Sequence, residues 1–275
     1  MHALWPLFLN TLHKEVRAKT IYVLAAALLA IAVLAMMLIK ALPTGEGDAN
    51  DAFLLQFFQM GFKGAIMMLG TILAAVLGCA TLRSDLQTSL AAQIAALPLP
   101  AWVYVAVRIL GSWFIAFLFE LVFFIILIAG PYFIFPLATW QQLTQDITHH
   151  ILVILPFTGL YLLGIVLLSA FFSLYFKTAA SLVLTLIAGS LIIACNNHQF
   201  SFLAGGREVM DVIGGIISLA VPSLGLWPRM MQEPLQENWA GFSGAEIALL
   251  LWSFVILAGW ILGLQVLLKK KDYRL

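Results

Sequence analysis

The chain alternates long apolar runs with short polar stretches. A hydrocarbon core of ~30 Å takes about 20 helical residues to cross. Six runs are suited to that task, at residues 21–39, 62–82, 102–130, 151–172, 178–194 and 247–268. They are too long for the strands of an outer-membrane barrel. The pattern therefore predicts an all-α membrane protein: one domain over residues 1–275 with six transmembrane helices. The third run is expected to close at Gly130-Pro131, a helix stop. A seventh run, 212–227, is shorter and contains Gly214-Gly215 and Pro222. It reads as a re-entrant or interfacial segment within the outer stretch 195–246, packed against protein. Non-helical backbone at membrane depth is tolerated only when so covered. A full seventh crossing is the alternative.

Polar positions define two further elements. In residues 1–20, Trp5, Leu7, Phe8, Leu9, Leu12 and Val16 interleave with His13, Lys14, Arg17 and Lys19. This predicts an amphipathic helix on the membrane surface; a charged flank that only sets orientation is the simpler alternative. The second element is the interruption LRSDLQTSLAAQIAALPLPAWVYVAVRI, 82–109. Ser84 and Gln87 have the spacing of a capping box. Asp85 falls in the first turn, where the helix dipole favours an anion. Good helix formers follow, and Pro98 and Pro100 turn the chain into the third span. Leu86, Leu90, Gln93 and Leu97 share one side of such a helix. A short stiff helix joining two spans can pass force between a partner and those spans. An ordinary capped loop is the alternative.

Composition agrees with the membrane reading. Of 275 residues, 63% are hydrophobic and 10% charged, with mean hydropathy +1.04; a soluble domain needs more polar surface. With both termini cytoplasmic, ten basic residues lie inside (Lys14, Arg17, Lys19, Arg83, Arg108, Lys177, Lys269, Lys270, Lys271, Arg274) and four outside (Lys40, Lys63, Arg207, Arg229). That split follows the positive-inside rule. The basic residues before the first run are not followed by a small-residue cleavage pattern, so no cleavable signal peptide is expected. A net charge of +1 gives no footprint for nucleic acid.

Candidate chemistry is sparse. Glu120 is the one acidic residue well inside a span, about 18 Å deeper than Arg108 at 1.5 Å per residue. A charge there is expensive and usually faces a cavity or a partner. A pathway or gate role and a purely structural role both remain open for it. Cys195 and His198 sit three apart at the predicted outer end of the fifth span, too few ligands for a metal. His149-His150 form a further polar pair. Neither these residues nor the two cysteines, Cys79 and Cys195, make a metal or disulfide framework. No cofactor is expected. Trp140, Trp227 and Trp239 suit an outer aromatic belt. Gly70-x3-Ala74-x3-Gly78 and Gly259-x3-Gly263 allow close helix approach, within one chain or between two.

The order of an amphipathic helix with a Lys14-Glu15 pair, a first span, and a second span running into LRSDLQTSLAAQIAALPLPAWVYVAVRILG resembles the ABC-2 type transporter permease family. Asp85, Leu97-Pro98 and Arg108 fall at the places of that family's intracellular coupling region. The family's Gly before Thr/Ser is missing at Thr88-Ser89. The segments DLQTS and LPLP are also similar to the haem-exporter B subunit of cytochrome c maturation, which normally lacks so long an outer segment and so basic a tail. The resemblance implies a non-catalytic permease subunit in a bacterial inner membrane, an exporter by family expectation. It implies a separate ABC ATPase, since this sequence carries no phosphate-binding Gly-x4-Gly-Lys-Ser/Thr, and a second permease copy, identical or not. The coupling segment 83–100 would then dock on the ATPase through Asp85, Leu86, Leu90, Gln93 and Leu97. The competing reading is a membrane-embedded enzyme or assembly factor acting through residues 196–246.

Overall fold

The computed structural model describes residues 4–17, 68–87, 100–132, 137–203, 208–222, 224–232 and 241–270, with single positions between 22 and 37. Among the described residues the elements are helices: α1 (Leu4–Arg17), α2 (Gly70–Thr81), α3 (Arg83–Gln87), α4 (Ala101–Tyr132), α5 (Leu137–Ser173), α6 (Thr178–Leu203), α7 (Val209–Ser218), α8 (Leu226–Gln232) and α9 (Gly244–Lys270). Four contain windows long and apolar enough to cross a membrane: Ala101–Ile126, Val153–Ser173, Thr178–Asn196 and Glu246–Leu268. The chain is a membrane-embedded helical protein, and these windows coincide with the expected third to sixth spans. Of the expected second span, the described part is helical from Met68, with α2 as its regular portion. Of the first, Tyr22, Val23, Ala26, Ala27, Leu29, Ala30, Val33 and Met37 are described, all helical and exposed.

Helix α5 is the centre of the bundle. It packs against α2, α4, α6, α8 and α9, and 72% of its apolar window is buried, against 22% for α6 and for α9. The α2–α5 crossing is close because α2 is lined by small residues. A Cβ at Gly78 would stand 2.6 Å from the Val166 carbonyl oxygen, so only glycine fits. Ala74 and Ala75 are fully buried beside it. Hydroxyl and thiol groups bind the same seam. Ser169 Oγ donates to the Ala75 carbonyl (2.5 Å), Cys79 Sγ lies 2.9 Å from Ser169 Oγ, and Thr81 Oγ1 lies 2.6 Å from Ser112 Oγ on α4. Thus the Gly70–Gly78 stripe serves packing within the chain. A Cβ at Gly259 or Gly263 would meet nothing within 4 Å.

Helix α4 closes where expected, ending at Tyr132 just past Gly130-Pro131; the ends of α5 and α6 depart from the expected ones. A proline this close to the C-terminus removes one hydrogen bond from the last turns without ending the helix earlier. Helix α5 begins at Leu137, not 151, and contains Pro156; α6 runs on to Leu203, past 194. Hydropathy marks where a helix leaves hydrocarbon, whereas its backbone hydrogen bonds can continue beyond that plane.

Only Leu82 separates α2 from α3. Ser84 Oγ donates back to the Ala80 carbonyl (2.6 Å); the Gln87 side chain of the expected capping box lies outside the described residues. A capping box is formed at Ser243, at the start of α9. There Glu246 Oε2 accepts from the Ser243 amide (2.7 Å), and Ser243 Oγ accepts from the Glu246 amide (3.3 Å). Ser243-x2-Glu246 before an apolar run was a readable signal.

Segment 212–227 is two short helices, the end of α7 and the start of α8, broken around Pro222. Helix α7 packs along α6, and α8 packs on α5. The break reaches the interior. Leu224 and Trp227 rest on Gly164, where a Cβ would be 2.5 Å from Leu224 Cδ2 and 2.8 Å from Trp227 Cζ3. Trp227 is fully buried, which corrects its expected place in an aromatic belt: the helix break turns it inward onto a glycine. Backbone groups freed by the break find side-chain partners. The Gly225 amide donates to Asn196 Oδ1 (2.9 Å), and Trp260 Nε1 donates to the Ala220 carbonyl (3.0 Å). Trp140 lies in α5, its side chain outside the described residues, as is Trp239.

Candidate functional site

The most concentrated polar chemistry lies where α1, α3 and α4 meet, at the end of the bundle from which α4 starts. Helix α1 supplies Thr11 and Lys14, one turn apart on one face. Leu7 and Thr11 are buried against α4. Gly111 makes room, since a Cβ there would be 2.6 Å from Thr11 Cγ2. The amphipathic helix therefore turns part of its polar stripe into the protein, while Trp5, Asn10 and His13 are exposed.

Asp85 of α3 is the hub, with 0% of its surface exposed. Lys14 Nζ donates to its Oδ1 at 2.5 Å and also to Ser84 Oγ. Tyr104 Oη donates to its Oδ2 at 2.7 Å. Arg108 Nε stands 2.6 Å from the same oxygen. Its N–H forms no well-aligned hydrogen bond, so this contact is chiefly electrostatic. Arg108 Nη1 donates to Thr11 Oγ1 (2.9 Å), and the guanidinium lies 5.9 Å from the centre of the Tyr104 ring. Tyr104 and Arg108 sit one turn apart on α4. The hub thus joins three helices through one carboxylate. A buried ion of this kind is tolerable only when its partners compensate the lost hydration.

Arg83 extends the arrangement to α5. Its Nη1 donates to the carbonyls of Phe176 and Ser173, the latter at 3.4 Å. These lie at the C-terminal end of α5, where a cation complements unpaired carbonyls and the helix dipole.

Of the residues expected to form the coupling region, Asp85 and Arg108 are brought together here. Leu86 lies in α3 with its side chain outside the described residues, and Leu90, Gln93 and Leu97 lie outside them altogether. Lys14, Thr11, Tyr104 and Arg83 were not anticipated as members. The pairs Thr11/Lys14 and Tyr104/Arg108, at helical spacing, were the available signal. Which pair faces which is a tertiary matter.

Glu120 lies elsewhere, buried where α4 meets α2 and α5. At the opposite end, His198 Nδ1 lies 3.1 Å from Asp211 Oδ1, joining α6 to α7. Cys195 and His198 lie in the last turns of α6, where its apolar window ends at Asn196. Among the described residues no group of three His, Cys, Asp or Glu side chains is placed to hold a metal.

Compared with protein-family models, curated proteins and solved structures, the chain matches none.

Proposed function

We propose that this chain is the permease subunit of an ATP-driven ABC transporter, an exporter powered by an ATPase on a separate polypeptide. The observation that carries this reading is the Asp85 hub. The segment leaving α2 is held to α1 and α4 by Asp85 and to the end of α5 by Arg83. Four helices converge on a five-residue element, so a push on α3 reaches all of them. Asp85 is turned inward and holds α3 in place. Docking on the ATPase would fall to Leu86, Leu90, Gln93 and Leu97. The bundle would sit in a bacterial inner membrane with both termini cytoplasmic and with 212–227 re-entrant from the outer side. The open face at Gly259 and Gly263 leaves room for a second permease copy.

The test is retention of the ATPase. Leu90→Asp should abolish co-purification of the ATPase with the permease and the ATP turnover of the pair in lipid. Normal retention and turnover would reduce the segment to a loop and remove the main support for this reading.

Orientation has its own measurement. Single cysteines at Thr88 and Gln142, in a background lacking Cys79 and Cys195, should differ toward an impermeant thiol reagent added to intact cells whose outer membrane has been permeabilised. Position 142 should label and position 88 should not. The reverse result would invert the topology.

A further inference from the structure

A second polar island lies in the middle of the bundle. Glu120 is 3% exposed. Its carboxyl rests where α2 passes α5: a Cβ at Gly70 would stand 2.9 Å from Glu120 Oε2 and 3.1 Å from Leu162 Cδ2. Glu120 Oε1 has no hydrogen-bond partner among the described residues. It is also the only acidic side chain in the interior of the four apolar windows. Just before Gly70 the helix makes a π turn at Met68–Leu69, a distortion frequent at functional sites.

The neighbouring residues on the same two helices, Thr71 and Tyr161, hydrogen-bond to each other through their hydroxyls. The two groups that flank the Glu120 carboxyl, Gly70 and Leu162, are the chain neighbours of Thr71 and Tyr161. Together with Met68, Ile72, Ile165 and Gly189, Thr71 and Tyr161 line a cavity of ≈ 400 Å³ between α2, α5 and α6. That volume is within the range of small-molecule sites. Ser190, also on its wall, donates its hydroxyl to the Leu186 carbonyl (2.9 Å). With these hydroxyls engaged by the protein, the wall offers a ligand mainly apolar contact and the Tyr161 ring. Glu120 is not part of the wall; it reaches from α4 to Gly70 and Leu162, the residues next to Thr71 and Tyr161.

We propose that this cavity binds an apolar organic cation, with the body of the ligand in the cavity and its charge met by Glu120 when the Thr71–Tyr161 pair opens. An isolated carboxylate in hydrocarbon is costly, and a cation brought beside it offsets that cost. The Tyr161 ring adds an attractive face for the same charge. The inference rests on the transport reading and names its cargo class.

The test uses two ions of like size and apolarity and opposite charge, tetraphenylphosphonium and tetraphenylborate. Saturable binding to the full chain in phosphatidylcholine nanodiscs is measured by equilibrium dialysis, in excess of protein-free discs. Tetraphenylphosphonium should bind saturably and tetraphenylborate should not. Glu120→Gln should weaken phosphonium binding about tenfold, equivalent to ~1.4 kcal/mol. Gly189→Leu should weaken it as well, by filling the cavity with Glu120 intact. Its first carbon is tolerated, the nearest side-chain atoms being Ile165 Cδ1 at 3.6 Å and Leu224 Cδ1 at 4.0 Å. Equal saturable binding of both ions, no binding of either, or wild-type phosphonium affinity in either variant overturns the proposal. The assay contains no ATPase and no nucleotide, so failure here and failure of the Leu90 test are separate results.

Discussion

Asp85→Asn should destabilise the protein by about 3–5 kcal/mol, the usual penalty for breaking a buried ion pair from one side. Asparagine keeps the size of the side chain and can still accept from Tyr104. It cannot balance Arg108, which is 1% exposed and has no other acidic partner among the described residues. The charge left behind, rather than the lost bond, dominates the cost. Lys14→Met should cost far less, about 1 kcal/mol or below, because 29% of the Lys14 side chain meets solvent and exposed pairs are screened. Cys79 provides the readout, since it is fully buried. In a Cys195→Ser background in detergent, the temperature at which Cys79 becomes thiol-reactive reports unfolding. Equal midpoints for the two variants would mean that Asp85 is not the hub its contacts describe.

Trp227→Ala should cost about 3–5 kcal/mol, the range for truncating a buried aromatic. The side chain is fully buried on Gly164 beside Leu224. Trp227→Phe should cost much less. Its Nε1 has no hydrogen-bond partner among the described residues, so phenylalanine removes an unsatisfied donor along with part of the volume. The same thermal assay separates the two. A Trp227→Ala protein as stable as wild type would place α8 outside the core. This would also undercut the re-entrant reading of 212–227, because the broken backbone around Pro222 needs the cover that Trp227, Asn196 and Trp260 provide.

The helical class and four membrane-crossing windows were legible in the sequence because they depend on local quantities. A run of about 20 apolar residues must become a helix in hydrocarbon, where each backbone group has to be satisfied within its own segment. The break in 212–227 was legible from Pro222, whereas Gly214-Gly215 lie inside α7 and do not interrupt it. Asp85 stood out because a carboxylate between two apolar runs is unusual, and Glu120 because a charge inside a span is expensive. The back-bond from the Ser84 hydroxyl to the Ala80 carbonyl was not legible, because it depends on α2 reaching almost to α3.

Tertiary structure decided the rest. Thr11 and Lys14 face inward because Gly111 opens a groove for α1 and because Asp85 and Arg108 need partners there. Lys14 and Asp85 are 71 positions apart in the chain, a separation over which hydropathy carries no signal about pairing. Trp227 is just as compatible with a lipid interface as with a core; its burial follows from Gly164 lying opposite it. Periodicity and composition determine which segments enter the membrane. Which polar group meets which depends on helix crossings, and those are set by small residues such as Gly70, Gly78, Gly111 and Gly164, whose missing side chains let the helices approach.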